Sequence, residues 1–277
     1  FSLSQDSRSS NQHGFYLHHS WDVTDALTLN GGIRWEDYDN YGDEFTWRSS
    51  IAYRISSTGT KFRASAGKGF RPPSYQELFG FGGGSNFSLR AESSSGWDLG
   101  IDQELCDGQY RLNVTWFENR IEDMIDSNFG PAPDFVTTYF NAPGTSVTRG
   151  LEIEAKGKWL NDRLETTLNY TWLDKTLSGQ PKHSAGLQMN GKICDNLEAG
   201  FTVIHRDNRT FGGNELDSYI VTNLHANYQI NENISLNTRV ENLFNEDHEL
   251  ASFGNGASRS TYPGRGRGIF GGVTISW

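Results

Sequence analysis

Few residues in this chain stand at spacings that support covalent or metal chemistry. Ala66-Gly67-Lys68-Gly69 sets glycines around a lysine, the materials of a phosphate-binding loop. That loop needs Gly-x-x-x-x-Gly-Lys-Ser/Thr between a strand and a helix, and neither the spacing nor the context is met. Asp207-x-Arg209-x-Phe211-Gly212 lacks the regular oxygen ligands of a calcium loop. Calcium held by Asp37, Asp39, Asp43 and Glu44 in an outer loop is left open, with no ligand pattern behind it. No Gly-x-Ser-x-Gly nucleophile element is present. His18 and His19 are adjacent, so on a strand they point to opposite faces. His183, His205 and His225 stand apart, which reads as strand-wall histidine rather than a metal site. Cys106 and Cys194 fall at turns about four strands apart, at ~4.8 Å per strand, beyond the ~7 Å reach of a disulfide. Both read as free thiols. The residues therefore point to a chain that is no enzyme and carries no cofactor.

The elements that position these residues are about thirteen amphipathic segments, joined alternately by short and long connections. The short joints are Thr24–Ala26, Ser56–Gly59, Cys106–Gln109, Leu160–Arg163, Cys194–Asn196 and Asn231–Asn233. The long ones are Tyr38–Glu44, Arg71–Ser94, Ile121–Thr145, Lys175–Lys182, Asp207–Ser218 and Asn245–Gly266. Such sorting predicts an all-β, antiparallel, up-and-down transmembrane barrel, with short periplasmic turns and long extracellular loops. The segments alternate as barrel strands must. Trp97, Leu99, Ile101 and Leu105 share one face, while Asp98, Gly100, Asp102 and Glu104 share the other. Leu151, Ile153, Ala155, Gly157 and Trp159 alternate with Glu152, Glu154, Lys156 and Lys158. Trp21, Trp35, Trp47, Trp159, Trp172 and Trp277 fall near segment ends, where interfacial girdles sit.

Composition agrees. Mean hydropathy is negative and no window approaches ~20 apolar residues, so no transmembrane helix is expected; barrel strands need only one apolar face. The net charge of -10 argues against nucleic acid as a partner. Thirteen strands cannot close antiparallel without an edge. Either Phe1–Ser4 supplies another strand, or the chain is part of a larger barrel, which is the preferred reading. Phe1 opens without Met, charged n-region or apolar h-region, so the sequence reads as mature, trimmed or a fragment.

Three stretches carry a resemblance. Phe70-Arg71-Pro72-Pro73-Ser74-Tyr75-Gln76-Glu77-Leu78-Phe79-Gly80 is followed by Asn86-Phe87-Ser88-Leu89-Arg90-Ala91-Glu92-Ser93-Ser94. Tyr139-Phe140-Asn141 precedes Arg149-Gly150-Leu151-Glu152. Val240-Glu241-Asn242-Leu243-Phe244-Asn245 precedes Pro263-Gly264-Arg265 and a last strand ending in Trp277. In this order they resemble the TonB-dependent outer-membrane receptors, most of all the cobalamin (vitamin B12) receptor branch, with catecholate-siderophore receptors sharing much of the pattern. The resemblance implies about 13 strands of a barrel of about 22 with a plugged lumen. It implies that residues 1–277 are the C-terminal part of that barrel, with the N-terminal plug and its TonB box outside the sequence. It also implies a Gram-negative outer-membrane location, and energy-coupled uptake of cobalamin or a ferric siderophore. The partners implied are that small molecule, the TonB system, and outer-membrane lipid and lipopolysaccharide.

In such a receptor the ligand contacts would be loop aromatics and arginines. Candidates are Tyr75, Phe79, Phe81 and Phe87 in one loop, Tyr139 and Phe140 in the next, and Phe211, Phe253 and Tyr262 in later ones. Their faces can stack on a corrin or catecholate ring. Arg209, Arg259 and Arg265 can pair with an anionic ferric siderophore. The competing expectation for each is that it packs loop against loop. A passive porin-like channel of 12–14 strands is the alternative function, and an outer-membrane protease or phospholipase a third with no residue constellation behind it.

Overall fold

The computed structural model describes residues 9–39, 42–80, 84–130, 136–254 and 256–277. Phe1–Ser4 and Phe81 lie outside the described residues. In chain order the strands are β1 (Gln12–Thr24), β2 (Leu27–Tyr38), β3 (Gly42–Ile55), β4 (Thr60–Arg71), β5 (Glu92–Leu105), β6 (Tyr110–Glu122), β7 (Ile125–Phe129), β8 (Thr137–Asn141), β9 (Thr145–Trp159) and β10 (Leu164–Lys175). There follow β11 (His183–Cys194), β12 (Leu197–Arg206), β13 (Arg209–Phe211), β14 (Asn214–Leu216), β15 (Tyr219–Asn231), β16 (Ile234–Glu241), β17 (Glu249–Phe253), β18 (Ser260–Pro263) and β19 (Gly268–Ile275). One short helix, α1 (Tyr75–Phe79), lies between β4 and β5.

Thirteen of these strands form one sheet in the order β1-β2-β3-β4-β5-β6-β9-β10-β11-β12-β15-β16-β19, an up-and-down meander. The other six form three two-stranded ribbons, β7–β8, β13–β14 and β17–β18. Each ribbon lies within one of the long connections. The long strands of the sheet, such as β3 with 14 residues and β9 with 15, exceed the about 9–11 that a tilted strand needs to cross a bilayer. By contacts the chain groups into two compact units. One takes in residues up to Tyr53, Arg63–Asp98 and Glu118–Val147; the other takes in Arg54–Phe62, Leu99–Phe117 and Thr148–Trp277.

All six short joints are where the sequence places them, because local chemistry makes them. Thr24 Oγ1 accepts from the amides of Ala26 and Leu27 at 3.2 and 3.1 Å, and Asn231 Oδ1 accepts from those of Asn233 and Ile234 at 3.0 Å. At Cys106–Gln109 the first three residues take positive φ, closed by Gln109 N to Cys106 O at 3.1 Å. Pro72-Pro73 follows directly on the last residue of β4, as residues without an amide hydrogen must. One long joint is corrected. Tyr38–Glu44 was expected as a loop, but the ladder runs on to Tyr38↔Gly42, with Glu36↔Glu44 and Asp37↔Asp43 paired across it. The acidic run there is strand: Glu36 and Glu44 lie on the charged face, while Asp37 and Asp43 stand at the strand ends on the face of Trp35, whose Nε1 donates to Asp43.

The faces are reversed relative to a soluble sheet. Leu17, Leu99, Ile193 and Val273 are 55–67% exposed, whereas the buried apolar side chains among the described residues are Leu78, Leu89, Leu173 and Leu216. None of these four lies in the middle of a sheet strand. The opposite face carries ion pairs between neighbouring positions: Arg34–Glu36 at 2.6 Å, Lys61–Asp102 at 2.6 Å and Lys156–Glu154 at 3.0 Å. Glu36 is only 6% exposed. Aromatic pairs sit on the apolar face, with Phe15 and Trp35 stacked at 6.1 Å and Tyr110 against Trp159 at 4.9 Å. Both cysteines are free and exposed.

Candidate ligand-capturing loops

In the first unit the connection from β4 to β5 is tied down at its base. Ser74 caps α1 in a capping box: its hydroxyl accepts from Glu77 N at 3.3 Å, and its amide donates to Glu77 Oε2 at 2.6 Å. Arg71 donates to both carboxylate oxygens of Glu77 at 3.0 and 3.1 Å and to both of Glu92 at 2.7 and 2.8 Å. Partial burial acts to raise the Glu77 carboxyl pKa, but the Arg71 guanidinium and the Ser74 amide and hydroxyl outweigh it and hold the carboxyl below its ordinary value. Glu92 also accepts from Ile125 N at 2.7 Å, which ties this loop to the next.

Two asparagines complete that tie. Asn86 Nδ2 donates to Tyr139 O at 2.8 Å, while its Oδ1 accepts from the amide and hydroxyl of Ser88. Asn141 Oδ1 accepts from Arg90 N at 2.9 Å, and its Nδ2 donates to Arg90 O and Asp123 O at 3.0 and 2.6 Å. Arg90 pairs with Asp123. Gly84 lies so close to β8 that a Cβ would stand 1.8 Å from Thr137 O. Above this base sits an aromatic cluster. Tyr75 stacks on Phe79 at 5.9 Å and Phe79 meets Phe87 edge-on at 5.2 Å, leaving Tyr75 43% and Phe87 69% exposed. Gln76 Nε2 donates to the Tyr139 hydroxyl at 3.1 Å.

In the second unit the ribbons β13–β14 and β17–β18 pack together. Phe253 meets Phe211 and Tyr262 edge-on, both at 5.3 Å. Arg259 donates to Ser252 Oγ at 3.0 Å and to Glu249 Oε2 at 2.6 Å. Arg209 is buried, donates to Glu249 O, and lies over the Tyr219 ring at 5.2 Å. Asn214 Nδ2 reaches Gly254 O at 2.9 Å. After β16 the chain turns at Asn242, which is buried with φ 49. Asn242 Nδ2 donates to Glu246 O and Arg265 O at 2.9 and 3.0 Å, and its Oδ1 accepts from Glu246 N at 2.8 Å. Its own amide donates to Asn223 Oδ1 at 2.8 Å.

Residues 2–243 match the family model described as TonB dependent receptor-like, beta-barrel. The chain belongs to the TonB-dependent receptor family. It is 28% identical over 252 residues to the vitamin B12 transporter BtuB of Vibrio vulnificus (strain YJ016), covering 88% of this chain and 39% of that protein. It is 24% identical over 306 residues to the ferric enterobactin receptor of Pseudomonas aeruginosa (strain PAO1), covering 90% of this chain and 40% of that one. The siderophore receptor PirA of Acinetobacter baumannii superposes with a TM-score of 0.79 at 18% identity, over 97% of this chain and 46% of that chain. The chain thus spans about two fifths of the length of the curated relatives it matches. The fold is accordingly that of a partial TonB-dependent receptor barrel.

The motifs that mark the TonB-dependent receptor family in this sequence are structural ties. Arg71 joins Glu77 and Glu92 at the base of one loop, Asn86, Glu92 and Asn141 tie that loop to the main chain of the next, and Asn242 ties off the last long loop. Of the residues expected to contact a ligand, Tyr75, Phe79 and Phe87 are brought together, with Tyr139 reached through Gln76. Phe211, Phe253 and Tyr262 form a second group with Arg209 and Arg259. These two arginines already hold loop atoms. Arg265 pairs with Glu241 at 3.2 Å, lies 6.0 Å from the Phe270 ring and joins neither group. The sequence reading passed over Gln76 and Asn214 as loop-joining residues, though both lie in loops it had marked. Of the acids weighed for calcium, Asp43 accepts from Trp35 Nε1 at 3.1 Å and Glu44 faces Lys68 at 3.6 Å.

Proposed function

We propose that this chain is part of the wall of a Gram-negative outer-membrane receptor that takes up cobalamin or a ferric siderophore by TonB-coupled transport. The observation that carries the reading is the reversal of faces. A sheet with its apolar side chains exposed and its charges paired on the other side is stable when lipid covers the first face and water or polar protein meets the second. The relatives named a vitamin B12 transporter and a ferric enterobactin receptor support the nutrient class. Each unit, taken by itself, offers exposed ring faces for capture: Tyr75 and Phe87 in the first, Phe253 and Tyr262 in the second. With Arg71, Arg90 and Arg259 held in internal pairs, ring stacking rather than free charge is the chemistry these loops offer. No bond to the ligand forms or breaks; the work is capture, release and passage along a polar wall.

The test is made on the full-length receptor purified from outer membranes. Its tryptophan fluorescence is titrated with cyanocobalamin and, separately, with ferric enterobactin, and uptake by cells is followed with and without a protonophore. Saturable binding of one ligand and loss of its uptake on de-energising are expected. Binding of neither, together with steady conductance in a planar bilayer, would replace this reading with the passive channel.

A further inference from the structure

In the second unit three connections are joined into one body. The ribbons β13–β14 and β17–β18 have strands of only three to five residues. A two-stranded ribbon alone is marginally stable in water, so neither stands without the other. Leu216, in β14, and Ser252, in β17, are 1% and 0% exposed, which gives this body a core of its own. It also takes in the connection from β10 to β11. There Gly179 N donates to Thr210 O at 2.7 Å. Gly179 lies so close to Phe211 that a Cβ would stand 2.9 Å from its ring. Phe211 meets Phe253 in turn, so each connection touches the next. Segments that are stable only together open together.

The root of this body is narrower than the body itself. On one side it is residues 207–208, ahead of β13, and 217–218, behind β14. Ser218 N donates to Asn208 Oδ1 at 3.0 Å and joins them. On the other side it is the Asn242 turn and His248, whose ring lies 4.4 Å from that of Tyr219. Among the described residues two buried side-chain nitrogens have no hydrogen-bond partner, His205 Nδ1 and Arg209 Nε. They stand on either side of residues 207–208, and none lies further out. A buried polar atom left unbonded costs more than the same atom in water, so opening at the root relieves both.

We propose that the connections after β10, β12 and β16 are a single lid, which opens as one body about the root at residues 207–208, 217–218 and Asn242. The structure holds its closed state. His205 and Arg209 act as the spring: closure buries their nitrogens unbonded, and opening returns them to water. None of the three loops opens alone. The inference does not rest on which nutrient is carried.

The experiment follows hydrogen exchange by mass spectrometry on full-length receptor in detergent, under conditions where opening limits exchange. In the native protein residues 177–180, β13–β14 and β17–β18 should share one opening rate, and clearly separate rates overturn the proposal. Phe253→Ala removes the ring contacts to Phe211 and Tyr262, worth about three-fold each, and should speed opening about ten-fold in all three segments. Residues 177–180, which bear on Phe211, should rise with the rest; a gain confined to β17–β18 overturns the single lid. His205→Leu removes one unbonded nitrogen and should slow the common opening about five-fold. Opening that is unchanged or faster in that variant overturns the spring at the root. The native comparison needs no variant, so it decides the question even where Phe253→Ala fails to fold.

Discussion

Substituting Asn242 by glycine and by alanine separates what its side chain does from what its backbone does. The side chain makes three hydrogen bonds from a buried position, to Glu246 O, Arg265 O and Glu246 N. At about 1 kcal/mol net for each, Asn242→Gly should destabilise the turn by about 3 kcal/mol. Glycine keeps the positive φ without strain; alanine adds about 1 kcal/mol for the left-handed backbone, so Asn242→Ala should cost about 4 kcal/mol. The amide bond to Asn223 Oδ1 survives in both. Hydrogen exchange on full-length receptor reads this directly. Opening of the segment from Leu243 to Arg265 should rise by about two decades in the glycine variant and nearly three in the alanine variant, at about 1.4 kcal/mol per decade. A glycine variant that exchanges within a factor of five of the native protein would refute the claim that these bonds hold the loop. An alanine variant equal to glycine would refute the backbone part alone.

Four further outcomes follow from the loops. Because the Glu77 carboxyl titrates below its ordinary value of 4.5, its ionised form favours the folded loop. That contribution is complete above the ordinary value and is lost as pH falls through the lower, folded one. Exchange at residues 74–80 should therefore rise on acidification below about pH 4.5, and Glu77→Gln should reduce that dependence, leaving the share carried by Glu92, whose carboxyl Arg71 also holds low. Gly84→Ala should free the loop from β8, since its Cβ would overlap Thr137 O, and limited proteolysis should then cut near residue 84 while the sheet stays intact. Tyr75→Ala and Phe87→Ala should each weaken nutrient binding about three- to ten-fold in fluorescence titrations, the range for one aromatic contact, whereas Phe15→Ala, on the apolar face of β1, should not. Asn141→Ala should loosen both neighbouring loops together, visible as parallel gains in exchange at Arg90 and at Met124–Asn128.

The sheet was legible in the sequence because its information is local. Alternation of faces, Thr24 and Asn231 at turns, and Pro72-Pro73 after a strand act over a few residues. Residues Tyr38–Glu44 misled because acidic residues on both faces at a strand end leave no alternation to separate strand from loop. The ribbons β7–β8, β13–β14 and β17–β18 went unseen, since strands of three to five residues carry too little alternation to separate from loop. The site was legible in part. Its aromatic residues could be named from type and place, but not grouped. Asn141 meets Arg90 across 51 positions and Arg259 meets Glu215 across 44, and no local pattern reports such closures. The two loop arginines most inviting for an anion, Arg209 and Arg259, hold loop atoms instead, and only coordinates separate those roles.

The knot of Arg71, Glu77, Asn86, Glu92 and Asn141 also bears on how such a protein can diversify. It is made near strand ends, from side chains whose partners are one another, the main chain and the Ser88 hydroxyl, and none of its hydrogen bonds uses the side chain of Tyr75, Phe87 or Tyr139. Mutations at the tips are thus insulated from folding, and a lineage can trade one cargo for another without rebuilding the wall.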